Sequence, residues 1–162
     1  MINLTQFLDF IKPYGNLGSL LIFLILIACG LGVPIPEDIP LIASGILSGL
    51  GIINFWTANI VGFAGVLIGD GIIFSLGYFK GARIKRFWLF KKLFTTEREA
   101  KIKSWFKKYG SFIIFFARFM PGLRMPIFMS SGIFHVKPWK FFALDGFAAL
   151  ISVPVWIYLG HK

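Results

Sequence analysis

Two arginines and two prolines interrupt an apolar run that is otherwise suited only to a low-dielectric environment. The run extends from Ser111 to Phe134, and the interruption reads Arg118-Phe119-Met120-Pro121-Gly122-Leu123-Arg124-Met125-Pro126. An arginine at membrane depth is expensive and faces protein, water or an anion. A proline there lacks a backbone donor and breaks the helix, and broken helices at that depth line cavities. Any fold for this chain must make that stretch tolerable.

The surrounding runs say how. Leu17 to Val33 is a 17-residue uncharged stretch, the lower end for a crossing helix. It stops at Pro34-Ile35-Pro36-Glu37-Asp38-Ile39-Pro40, where three prolines enclose two carboxylates. Leu41 to Ile53 then gives only about 20 Å of helix, too short for a hydrocarbon core of about 30 Å. A re-entrant hairpin fits better. Ile60 to Phe79 is long enough to cross and carries one acid, Asp70, between Gly69 and Gly71. Phe141 to Leu159 is a further span containing Asp145, Pro154 and Trp156. Pro34, Pro36 and Pro40, and then Pro121, Gly122 and Pro126, are the expected breaks of two hairpins.

Composition agrees. The chain is 57% hydrophobic over 162 residues, above the range of about 45–50% usual for soluble domains. Met1 to Lys12 lacks the basic n-region and Ala-x-Ala site of a cleavable signal, and its apolar residues suit a short interfacial helix. One cysteine, Cys29, excludes an internal disulfide and a cysteine metal cluster, and His135 and His161 make no histidine site. No metal or cofactor is expected. The net charge of +10 is concentrated, with 11 of the 17 Lys and Arg between Lys80 and Lys108. Such a cluster marks the cytoplasmic side of a membrane protein and attracts anionic headgroups, rather than nucleic acid. Thr95 or Thr96 is placed to cap a helix there, and Trp88, Trp105 and Tyr109 suit the interface.

With 80–108 in the cytoplasm, Ile60 to Phe79 runs inward, and the hairpins at about 34–53 and 111–134 open to opposite faces. An internal echo accompanies this topology. Glu37 precedes Ser44-Gly45-Ile46 by seven residues, and Arg124 precedes Ser131-Gly132-Ile133 by the same interval. Opposed broken helices meeting near the midplane are the inverted-repeat arrangement of secondary transporters. The expected architecture is therefore an all-α membrane protein. An interfacial segment, 1–16, precedes one transmembrane domain, 17–162, with spanning helices and two oppositely oriented re-entrant hairpins.

The chemistry of the charges leaves alternatives. A guanidinium presents a planar fork that suits phosphate oxygens, so Arg118 and Arg124 are candidates for a headgroup clamp. Six residues apart, they would diverge on an unbroken helix, and the Pro121-Gly122 break lets them converge. Equally, they can serve as structural partners of Glu37, Asp38 or Asp70, which buried charges require in any case. Burial favours a neutral carboxyl and a nearby cation favours the ionised one, so a site whose partner comes and goes can load and release a proton. Asp38 could instead cap the helix that follows it. Asp145 is expected near the cytoplasmic interface in a structural role. No Gly-x-Ser-x-Gly, His-Glu-x-x-His or P-loop is present, and Ser131 with His135 is a weak candidate dyad, so an enzyme is not expected.

These residues resemble the DedA family, bacterial relatives of the eukaryotic VTT-domain lipid scramblases. The likeness runs from about Gly32 to Gly160. It rests on Pro34-Ile35-Pro36-Glu37-Asp38 with Ser44-Gly45, and on Gly69-Asp70 with Gly77-Tyr78 and Gly81. It continues through Phe116, Arg118, Pro121 and Arg124, then Ser131-Gly132, and ends at Trp156 with Gly160. The Phe-x-Arg-x-x-Pro-x-x-Arg spacing is its most specific part. In the family a small residue usually precedes the carboxylate after Pro-x-Pro; here Asp38 takes the carboxylate place and Glu37 the small one. Asp145 stands where Asn is common, and members usually continue into one more spanning helix. The resemblance implies a multi-pass inner-membrane protein that moves polyprenyl phosphate or phospholipid between leaflets, linked to the proton gradient. It implies Arg118 and Arg124 on the phosphate headgroup, and Glu37, Asp38 and Asp70 as proton-carrying carboxylates. Anionic lipids and protons are then the partners, and a homo-oligomer is compatible with this reading. An uncoupled scramblase and a non-transporting membrane organiser are the alternatives.

Overall fold

A computed structural model describes residues 12–31, 36–86, 91–92, 94–120 and 122–162. Pro34, Pro121, Trp88 and all but the end of segment 1–16 lie outside the described residues. Among those described, the regular structure is helical, with no strand. The α-helices are α1 (Gly15–Gly30), α2 (Asp38–Gly49), α3 (Phe55–Lys80), α4 (Thr96–Tyr109), α5 (Ile113–Ala117), α6 (Arg124–Ile133) and α7 (Pro138–His161). Short 3-10 turns occupy Lys12–Tyr14, Gly81–Arg86 and Gly110–Phe112.

Length separates the helices into classes. α3 with 26 residues and α7 with 24 are apolar and long enough to cross a membrane, at about 39 and 36 Å. α1, α2 and α6 have 16, 12 and 10 residues, or about 24, 18 and 15 Å, and none reaches 30 Å alone. α1 covers most of the stretch read as a crossing from Leu17 to Val33, of which Gly32 and Val33 lie outside the described residues.

Two prolines expected to break hairpins do not break a helix. Pro40 is the third residue of α2 and Pro126 the third of α6. First-turn amides have no intrahelical acceptor, so proline costs nothing there and its fixed φ favours the start. Thr95 caps α4, its hydroxyl accepting from the Arg98 amide at 3.4 Å. Asp38 opens α2 as its first acidic residue, where a carboxylate complements the helix dipole.

The chain divides into two compact units, one comprising residues up to Gly69 with Ala149–Lys162, the other Asp70–Ala148. The first has a core of Ile22, Leu26, Leu41, Ile53, Ala58, Val66, Ala149, Val153 and Ile157. Here α1 meets α2, and α2 crosses the end of α7 so closely that a methyl on Gly45 would strike the Ile157 carbonyl and come within 2.9 Å of the Gly160 Cα. The second has a core centred on Ile73, Phe74, Ile102, Ile114, Ile127, Phe128 and Phe141. Within it α5 meets α6, and α6 crosses the end of α3, where a methyl on Gly132 would strike the Phe74 carbonyl and come within 2.7 Å of the Tyr78 amide.

Each crossing has the same local construction. Ser44 and Ser131, beside the two glycines, are both buried, and their hydroxyls donate to the carbonyls three residues back, Leu41 at 2.8 Å and Phe128 at 2.6 Å. A serine bonded to its own helix leaves no donor unmet where two backbones touch.

The outward faces are apolar. Leu17, Leu20, Leu21 and Leu24 of α1 are exposed, as are Phe147, Leu150, Ile151, Val155 and Leu159 of α7. A water-facing surface rarely carries contiguous apolar area on this scale, whereas a lipid-facing one requires it.

Candidate functional site

Four charged side chains meet inside the second unit. Asp70 is the first residue of that unit and lies on the face of α3 that continues one turn later to Phe74 and then to Gly77. That face packs on α6, so Asp70 is buried. Asp145 occupies the equivalent position on α7, one turn from Phe141, on a buried stripe that continues to Ala148. Phe74 and Phe141 stack with centroids 4.3 Å apart, and the edge of Phe128 meets Phe141 at 5.2 Å. This aromatic stack fixes the separation of α3 and α7 one turn away from both carboxylates.

The arginines come from the two ends of the helix break. α5 stops at Ala117, and Arg118 is its C-cap. The chain turns through hydrogen bonds from Phe119 to Phe116, from Met120 to Ala117 and from Leu123 to Met120. Gly122 takes φ +80, a left-handed conformation that disfavours a side chain. Arg124 is then the first residue of α6. The turn brings both guanidinium groups to Asp70, one to each carboxylate oxygen. Arg118 Nη1 lies 3.3 Å from Asp70 Oδ2, and Arg124 Nη2 lies 2.6 Å from Asp70 Oδ1. The same Nη1 of Arg118 also pairs with Asp145 Oδ1. Arg124 additionally lies over the Phe128 ring, 5.7 Å from its centroid.

The two arginines differ in access. The Arg118 side chain is 1% exposed and that of Arg124 is 16% exposed. Arg124 also stands at the N-terminus of α6, where backbone amides already point outward and the helix dipole is positive. A cation at that end is electrostatically disfavoured unless an anion accompanies it. Chemically, the cluster is a charge-assisted hydrogen-bond network with one arm that an outside anion can approach.

Asp145, expected near the cytoplasmic interface in a structural role, is buried and joined to Arg118. An acid inside an apolar run was the available signal. Glu37 and Asp38 belong to the first unit, as N-cap and first residue of α2, and Pro36 precedes them. Ser131 and His135 do not bond to each other: Ser131 bonds to Phe128, and His135 Nδ1 lies 2.9 Å from the Ile133 carbonyl oxygen. His135 has φ +55 and its ring meets Tyr78 at 4.8 Å. Among the described residues no group of three His, Cys, Asp or Glu is placed to hold a metal ion.

Comparison with known proteins accords with this arrangement. The VTT domain matches residues 35–162. A membrane protein of Haemophilus influenzae is 43% identical over 157 residues, covering 95% of this chain and 73% of that protein. An inner membrane protein of Borreliella burgdorferi is 37% identical, covering 98% of this chain and 76% of that protein. Undecaprenyl phosphate transporter A of Bacillus subtilis is 32% identical, covering 83% of this chain and 68% of that protein. No solved structure matches the chain. The matched domain takes in every residue of the arginine–carboxylate cluster, and the chain belongs to the VTT-domain family, the DedA family of membrane proteins.

Proposed function

We propose that this chain moves an anionic lipid, a polyprenyl phosphate or a phospholipid, between the leaflets of the inner membrane. Movement is coupled to protons. The observation that carries this reading is the cluster at the helix break, where Asp70 holds Arg118 and Arg124 on separate oxygens and Arg124 keeps an exposed edge. A lipid phosphate offers the same oxygen geometry as the Asp70 carboxylate and can replace it on a guanidinium fork. Asp70, which gives up one of its two cations to the arriving phosphate, is the carboxylate that links lipid entry to a proton in this reading. The polyprenyl phosphate named in the Bacillus subtilis transporter supports that class of cargo.

In this reading α3 and α7 cross the bilayer, Leu17 to Val33 forms a further crossing, and the hairpins at about 34–53 and 111–134 enter and return. The inverted repeat expected from the Ser-Gly echo draws support from the matching glycine crossings, Gly45 with Gly160 and Gly132 with Gly77. Glu37 and Asp38 serve the first hairpin as Asp70 serves the second. The basic segment stays cytoplasmic.

Variants in proteoliposomes test the site. Arg124→Ala is expected to lower leaflet exchange by about tenfold or more, as loss of a charged hydrogen bond that forms during transfer would, and Asp70→Asn by a similar factor, as loss of the proton-carrying carboxylate would. Undiminished exchange by both folded variants would refute the assignment. Chemical turnover of the lipid phosphate would point to an enzyme, and sensitivity confined to the charges of 80–108 to a membrane organiser.

A further inference from the structure

We propose that the two arginines divide the work, and that Asp145 is the positioning residue that enforces the division. Asp145 holds Arg118 in place, so that Arg124 alone exchanges Asp70 for the phosphate of the lipid. This rests on the anionic-lipid reading of the cluster given above.

Burial and connectivity carry the argument. Arg118 is sealed from the outside, and its Nη1 is shared between Asp70 Oδ2 and Asp145 Oδ1. A guanidinium flanked by two carboxylates has its charge compensated and is a poor receptor for a third anion. Arg124 is more exposed and reaches Asp70 through the opposite oxygen, Oδ1. Asp70 can therefore release Arg124 and remain fixed by Arg118. The arriving phosphate meets a cation at the open end of α6, with the Phe128 ring beneath it.

Asp145 decides how far the phosphate pulls. Without its charge, Arg118 loses a counter-ion and becomes a better anion receptor. Phosphate bound at Arg124 can then recruit Arg118 as a second fork. The bound state deepens, and release, the step that completes transfer, slows. The signature of this role is a joint fall in maximal rate and half-saturating lipid concentration. A merely damaged structure would lower the active fraction without tightening binding.

The test compares wild-type protein, Asp145→Asn and Asp145→Leu in proteoliposomes, with lipid concentration varied and the thermal midpoint of each protein recorded in micelles. Asn keeps an acceptor oxygen and drops the charge; Leu drops both. Maximal rate and half-saturation are expected to fall together, by about threefold for Asn and about tenfold for Leu. Half-saturation unchanged or raised in Asp145→Asn overturns the proposal, and this variant decides the matter alone if the Leu variant does not fold. Titration calorimetry with dihexanoyl phosphatidic acid separates the proposal from the transport reading. If wild-type protein moves no lipid, tighter binding by Asp145→Asn together with loss of binding in Arg124→Leu still upholds the division of roles. Equal or weaker binding by Asp145→Asn, or no binding by wild-type protein, overturns it.

Discussion

Arg118 illustrates how a buried charge is tolerated at the scale of one residue. Its guanidinium is held between Asp70 and Asp145, carried on two different helices. Removing one member of a buried ion network leaves the others uncompensated, at a cost of about 3–5 kcal/mol. Arg118→Leu and Asp145→Leu should each lower the unfolding free energy by about that amount, measured in mixed micelles. Arg118→Leu/Asp145→Leu should be more stable than the sum of the two losses predicts, because it removes a cation and an anion together. Strict additivity would mean that the two side chains do not interact. Asp70 and the two arginines were legible in the sequence, since a charge within an apolar run must be buried with a partner or functional. The pairing of Arg118 with Asp145 was not, because it joins residues 27 positions apart across a break whose turn no local pattern specifies.

At the scale of elements, the two glycine crossings bring backbones into direct contact. Alanine at Gly132 or Gly45 would place a methyl against a backbone carbonyl, which cannot swing aside as a side chain can. Each substitution should lower the thermal midpoint clearly, whereas alanine at Gly51 meets nothing within 4 Å and is strained only through its φ of +74. Equal losses at Gly132 and Gly51 would show that conformation rather than contact sets the cost. At α4, Thr95→Ala removes the N-cap bond and should destabilise the first turn by about 1 kcal/mol. Faster hydrogen exchange at the Arg98 amide would report it, and unchanged exchange would show that another group caps the helix. A cap at Thr95 or Thr96 was readable ahead of Glu97 and Glu99, and the structure selects Thr95. The start of α2 was placed at Leu41 rather than Asp38, because a proline marks the first turn of a helix as readily as its interruption.

For the whole molecule, exposed apolar side chains accompany helices of two length classes. Two long helices can cross a bilayer. Two of the short ones begin at charged residues, Asp38 at the start of α2 and Arg124 at the start of α6. Composition and run lengths foretold a helical membrane protein, because spans about 20 residues long without charge have few other uses. In the proposed function the cluster passes an anionic lipid from leaflet to leaflet at the expense of a proton gradient. The most direct measurement is leaflet exchange of a labelled polyprenyl phosphate and a labelled phospholipid in proteoliposomes, with and without an imposed pH gradient. Movement of at least one of the two is expected, accelerating when the gradient is imposed. Movement indifferent to the gradient would contradict the coupling, and no movement of either lipid by folded protein would contradict the transport function itself.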